Sequence, residues 1–219
     1  GHIPFKPLPS AHAYPLFEWG MNWCIANFCH KYLIFHAAVL EKNGKAVIFP
    51  APPGSGKSTL CASLALSGWR LLSDEMAVLD IETGKVLPFV RPICLKNNSI
   101  SLVKDWFPEA FISDIATDTQ KGDVAHVRPP IDSVRRFTES ADLFAVVFPK
   151  YAAGSTTEVF SMTQTSTLNM LIENAFNFDL FGHEGFEFIS SKLPHLLLLE
   201  ATYSDVDELR NILESEVNN

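Results

Sequence analysis

Apolar positions fall into alternating and helical stretches along the chain, and two of them flank a short Gly/Ser segment. Ala46-Val47-Ile48-Phe49 is a continuous apolar run of strand length. Thr59 to Leu66 is apolar at helical spacing and stops near Gly68. Between them lies Ala51-Pro52-Pro53-Gly54-Ser55-Gly56-Lys57-Ser58, a phosphate-loop pattern with Ala at its first glycine position. Strand, loop and helix in this order is the context the pattern requires. Tyr32–Leu40 reads as a second strand, and Asn43-Gly44 as the turn joining it to the first. The loop strand is thus expected to have an antiparallel neighbour.

The remaining pattern predicts a mixed α/β domain. Residues 16–32 read as a helix packed on the core, with Trp19 and Trp23 as core side chains. Two short strands flank Asp74-Glu75, and 86–90 reads as another strand. Residues 98–108 read as a helix and 109–123 as a long loop carrying Asp118, Lys121 and Gly122. Strands follow at 141–148, 158–162 and 194–203, with helices at 166–177, 185–192 and 205–216. Pro4, Pro7, Pro9 and Pro15 mark residues 1–15 as an entry segment or linker, leaving 16–219 as one domain. Gly1-His2 in place of a Met start reads as a trimmed beginning with a segment upstream.

The loop dictates the first chemistry. Its glycines turn backbone N–H groups toward phosphate oxygens, and the following helix adds its positive end. Pro53, Gly54, Ser55, Gly56, Lys57, Ser58 and Thr59 are the nucleotide-binding candidates. Lys57 reaches the β/γ-phosphates and the Ser58 hydroxyl is suited to Mg²⁺. Asp74-Glu75 ends an apolar approach, as an acidic metal-and-base site would. Adjacent carboxylates on a strand face opposite ways, so both reach one cleft only at a turn or bulge. Either one could be the base. His36 lies mid-strand and comes near the phosphates if the hairpin forms. Arg91, Lys121, His126 and Arg128 are candidate stabilisers of a transferring phosphoryl group.

Composition narrows the partners. A formal net charge of −8 argues against nucleic acid and against an anionic membrane surface. Cys24, Cys29 and His30 cluster without zinc-site spacing, so all four cysteines read as buried, reduced thiols of a cytoplasmic protein. No apolar run is long enough to span a bilayer.

These residues together resemble the catalytic domain of HPr kinase/phosphorylase. The resemblance lies in Phe35-His36-Ala37-Ala38-Val39, Asn43-Gly44, the P-loop and Trp69-Arg70-Leu71-Leu72-Ser73-Asp74-Glu75. Residues 15–23, 51–58, 91–97, 121–126 and 175–177 resemble more closely the HPr kinase-related kinase A family, over nearly the whole chain. The resemblance implies a P-loop fold of the phosphoenolpyruvate-carboxykinase-like type, ATP with Mg²⁺, and a serine-type hydroxyl on a protein or peptide as acceptor. By position it makes His36, Lys57 and Asp74 catalytic, with Arg128 as the later arginine. Ser58 becomes the metal-binding hydroxyl. From the residues themselves, Glu75 is the candidate carboxylate supporting the metal, and Arg91, Lys96, Lys121 and His126 are candidate phosphate or acceptor contacts. True HPr kinases are hexamers, so a homo-oligomer is compatible with it. The E-I-R-G-L-G signature of true HPr kinases is absent, and Val90-Arg91-Pro92-Ile93-Cys94-Leu95 stands in its place. The resemblance therefore does not extend to phosphorolysis or to HPr as the acceptor. A kinase of a small hydroxy compound such as free serine, and a nucleotide-dependent switch, remain the other two readings.

Overall fold

The structure, a computed structural model, describes residues 9–52 and 54–218. Pro53 and residues 1–8 of the predicted entry segment lie outside the described residues.

The chain is an α/β fold around a mixed, mainly antiparallel sheet. After α1 (Ala13–Phe28) come β1 (Tyr32–Lys42) and β2 (Lys45–Pro50), joined by the Asn43-Gly44 turn. They pair antiparallel from Lys42↔Lys45 to Ala37↔Pro50, so the strand entering the P-loop has the expected hairpin partner. Then follow α2 (Lys57–Leu66), β3 (Arg70–Ser73), β4 (Met76–Asp80) and β5 (Lys85–Leu87). Both β3 and β4 pair antiparallel with the far edge of β1. The β1–β3 register shifts between Val39 and Leu40, and residues 74–75 bulge out between the two short strands.

A second, three-stranded sheet is formed by β6 (Ile93–Lys96), β7 (Ala116–Thr119) and β8 (Gly122–Val127), with α3 (Asn98–Trp106) between β6 and β7. The short α4 (Ile131–Arg135) then leads to β9 (Ala141–Tyr151). β10 (Glu158–Ser161), α5 (Gln164–Glu173), α6 (Phe178–Lys192), β11 (Leu197–Tyr203) and α7 (Val206–Asn218) complete the chain. The main sheet runs β10-β11-β9-β2-β1-β4-β5, with β3 also on β1. Its parallel pairs are β2–β9 and β9–β11.

Strand alternation explains the two cores. On β1 and β2, Ala38, Leu40, Val47 and Phe49 face a cluster shared with α2, α7 and the small sheet. Phe35, Ala37, Val39, Ala46 and Ile48 face the other way, toward α5 and α6. Both faces are buried, which is why these strands read as continuous apolar runs.

Several expectations change. The first helix begins at Ala13 and ends at Phe28, because Pro15 is tolerated in a first helical turn. Trp23 is 61% exposed and is not a core residue, and Trp19 is half-buried. The inward face of α1 is instead Glu18 and Asn22, followed by Ile25, Ala26 and Cys29 against Ile34, Met76 and Val78. Residues 109–123 are not one loop. Their second half is the β7–β8 hairpin, whose polar, exposed outer strand gives no apolar alternation to read. Its turn is held by Thr119 Oγ1, which donates to the Gly122 carbonyl at 2.6 Å. The thiols are free, but Cys24 is exposed, so not all four are buried. Among the described residues, no helix is long and apolar enough to cross a membrane.

Candidate functional site

The P-loop, the β3–β4 bulge, β6 and the β7–β8 turn enclose a cavity of about 470 Å³. Its walls include Gly54, Gly56, Lys57, Ser58 and Thr59 on one side, and Asp74, Glu75, Lys96 and Lys121 on the other. His36 closes the end nearest Lys57.

Gly54 and Gly56 both have left-handed φ values, +87° and +88°. Gly56 is the N-cap of α2, and a Cβ there would lie 3.0 Å from Tyr151 Cβ. Only glycine satisfies both conditions. Lys57, the first residue of α2, is 8% exposed, and its Nζ donates to His36 Nε2 at 2.9 Å. Burial, and then the Lys57 charge, hold His36 down to about 4, so it is neutral at pH 7 and able to accept this bond. Burial also lowers Lys57, to about 8, against the pull of Glu75 and Asp74. The His36 backbone is fixed by its N–H to the Asn174 carbonyl at 2.7 Å, and Phe176 packs edge-on against its ring.

The acidic pair reaches one cavity because it occupies the bulge, as the geometry of adjacent strand residues requires. Ala37 N donates to the Glu75 carbonyl at 3.1 Å, anchoring the bulge to β1. The two carboxylates are then driven apart electrostatically. Asp74 is 2% exposed. Burial, reinforced by the charge of Glu18, pushes its carboxyl up to about 6, opposed by the Cys94 N–H and by Arg91. Its Oδ2 accepts from Cys94 N at 2.9 Å, while Oδ1 has no hydrogen-bond partner among the described residues. Burial acts on Glu75 in the same upward direction, but Lys121, Lys96, His36 and Lys57 outweigh it and hold it below the usual range. Glu75 Oε2 accepts from Asn22 Nδ2 at 2.7 Å, and Oε1 lies 3.9 Å from Lys121 Nζ. Paired titratable groups pushed in opposite directions separate a base from a permanently charged carboxylate.

The other predicted contacts divide. Lys96 and Lys121 line the cavity, and Lys121 Nζ also stands 4.7 Å over the Trp19 ring. Arg91 does not line it. Its Nη1 donates to Asn22 Oδ1 at 2.5 Å and its guanidinium stacks on Phe89, behind the acidic pair. His126 and Arg128 line a second cavity of about 380 Å³, with Tyr14 and Ser113. Arg128 therefore does not line the cavity that holds Lys57 and Asp74. Pro129 and Pro130 end β8 beyond it, and its guanidinium stacks on Phe111 at 4.3 Å. Sequence reasoning missed Glu18, Asn22 and Cys94. Glu18 and Asn22 stand four apart on an apolar helix, a signal of a polar stripe facing something other than a core.

The donor set suits the groups the loop implies: amides and a lysine for phosphates, a hydroxyl and a charged carboxylate for a hard cation. No family model matches the chain, and no curated protein matches it.

Proposed function

We propose that the protein is an ATP- and Mg²⁺-dependent kinase that phosphorylates a serine-type hydroxyl on a protein or peptide. We further read it as an HPr kinase-related kinase A-type P-loop enzyme of the phosphoenolpyruvate-carboxykinase-like kind. The observation that carries the reading is Asp74: a buried carboxyl pushed up to about 6, with one oxygen unpartnered among the described residues, lining the same cavity as Lys57. A base is most effective when its pKa lies close to the working pH. The antiparallel β1–β2 hairpin that brings His36 to Lys57 supports the fold type.

Asp74 takes the proton of the acceptor hydroxyl as the hydroxyl oxygen attacks the terminal phosphorus, whose bond to the bridging oxygen breaks to release ADP. Lys57 and the loop amides from Gly54 to Thr59 hold the phosphates. His36, neutral, orients the Lys57 ammonium. Ser58 and Glu75 would hold Mg²⁺, which when bound offsets phosphate charge. Lys121 and Lys96 balance charge on the side away from the loop.

The depth of Asp74 favours a second reading, a kinase of a small hydroxy compound, because such an acceptor reaches a 2%-exposed carboxyl more readily than a protein loop does. Incubation with γ-labelled ATP, Mg²⁺ and a size-fractionated lysate separates the two. Label in a macromolecular band is the expected result, and label only in the small-molecule fraction selects the second reading. Tight ATP binding with no label anywhere overturns both and leaves a nucleotide switch.

A further inference from the structure

Behind the acidic pair lies a cluster that phosphoryl transfer does not use. Cys94 on β6 and His126 on β8 are direct register partners in the small sheet, so their side chains leave the same face side by side. Glu18 of α1 completes the group. One donor atom from each residue lies within 4.8 Å of the other two, and all three residues are buried. Glu18 is 1% exposed. Its Oε2 is 3.4 Å from His126 Nε2, and its Oε1 has no hydrogen-bond partner among the described residues. A buried carboxylate left half-partnered is expensive unless a cation completes it.

We propose that Glu18, Cys94 and His126 bind one transition-metal ion of the zinc class, which ties α1 to the small sheet.

The donor chemistry selects this ion. One thiolate, one imidazole and one carboxylate form a set that Zn²⁺ accepts, with a fourth position for water. Mg²⁺ prefers oxygen donors alone, so the site is distinct from Ser58 and Glu75. On binding, the Cys94 thiol releases its proton to solvent and two negative donors meet a doubly charged ion. A tetrahedral ion with bonds of about 2.0–2.3 Å holds its donors roughly 3.3–3.8 Å apart. Glu18 Oε2 and His126 Nε2 already have this spacing at 3.4 Å, so any closing needed, on the order of 1 Å, falls to Cys94. Entry is provided from both sides, since Cys94 borders the P-loop cavity while His126 and Tyr14 border the second one. The ion also bears on the acidic pair, because the Cys94 N–H holds Asp74 Oδ2. The inference is independent of the phosphotransfer reading.

Cobalt(II) is the probe, titrated into the metal-free full chain and followed by absorption. We expect one equivalent to bind, with a thiolate-to-cobalt charge-transfer band in the near ultraviolet and visible bands of tetrahedral intensity. Zn²⁺ should displace it one for one, and Mg²⁺ should not. Cys94→Ser should abolish the charge-transfer band. Glu18→Gln and His126→Ala should each weaken binding by more than the roughly 10- to 100-fold that loss of an outer partner of a metal ligand costs, while Cys24→Ser leaves the spectrum unchanged. X-ray absorption on the zinc-loaded wild type should give one sulfur neighbour and two or three nitrogen or oxygen neighbours, a readout that needs no variant to fold. Absence of the charge-transfer band at stoichiometric cobalt overturns the proposal, as does a band that survives Cys94→Ser or a zinc shell without sulfur.

Discussion

The P-loop wall takes its residues from one stretch, between Pro52 and Thr59, whereas the opposite wall gathers Asp74 and Glu75, Lys96, and Lys121 from three separate parts of the chain. The first wall is local. Two left-handed glycines and a helix N-terminus make a phosphate cradle whatever surrounds them. The second wall is tertiary. Its properties come from depth: Asp74 and Glu75 are neighbours in sequence, yet burial raises one while the lysines lower the other. On the proposed reading, the cradle holds the phosphates and the tertiary wall decides what is done with them.

The difference can be tested by damaging each wall. Lys57→Ala, on the local wall, should give the largest effect, a loss of transfer of at least about 10³-fold read with γ-labelled ATP, because Lys57 is the buried charge on the loop side and Lys96 and Lys121 belong to the opposite wall. His36→Ala should lower the rate by roughly 10- to 100-fold. His36→Gln, which keeps an acceptor for Lys57 Nζ, should recover part of it in the same assay. Arg128→Ala should change the rate by less than about twofold, since Arg128 belongs to the second cavity and stacks on Phe111. A large loss there would redraw the site.

Asp74 also makes a prediction about stability. Its folded pKa of about 6 lies above its ordinary value of 3.8, so its favourable contribution is complete below the lower value and is lost as pH rises through the upper one. At pH 7 the buried charge costs on the order of 2–3 kcal/mol. Asp74→Asn, which can still accept from Cys94 N, should therefore raise the melting temperature by roughly 4–10 °C at pH 7 and by much less at pH 4. Calorimetry without nucleotide or added metal reads this directly, and an equal gain at both pH values would contradict it.

Legibility followed the same division. The loop strand, its hairpin partner and α2 could be read because apolar runs, Asn43-Gly44 and the glycines act over a few residues. The bulge at Asp74-Glu75 could be inferred because two adjacent carboxylates reach one cavity in no other way. What α1 faces could not be read. Trp23 looked like core because it lies four residues from Trp19 on one helix face, yet the inward positions are Glu18 and Asn22, whose partners lie dozens of residues away. The β7–β8 hairpin escaped because its outer strand, β7, is polar and exposed, so its pairing to β8 leaves no periodic trace. Arg128 was assigned by position along the chain, and its direction depends on Phe111, which nothing local reports.

The central claim is that Asp74 is the base and does not hold the nucleotide. The most direct measurement follows phosphoryl transfer and ATP binding together in Asp74→Asn. We predict transfer reduced by at least about 10³-fold with ATP affinity within about threefold of the wild type. Full transfer activity in this variant would contradict the account.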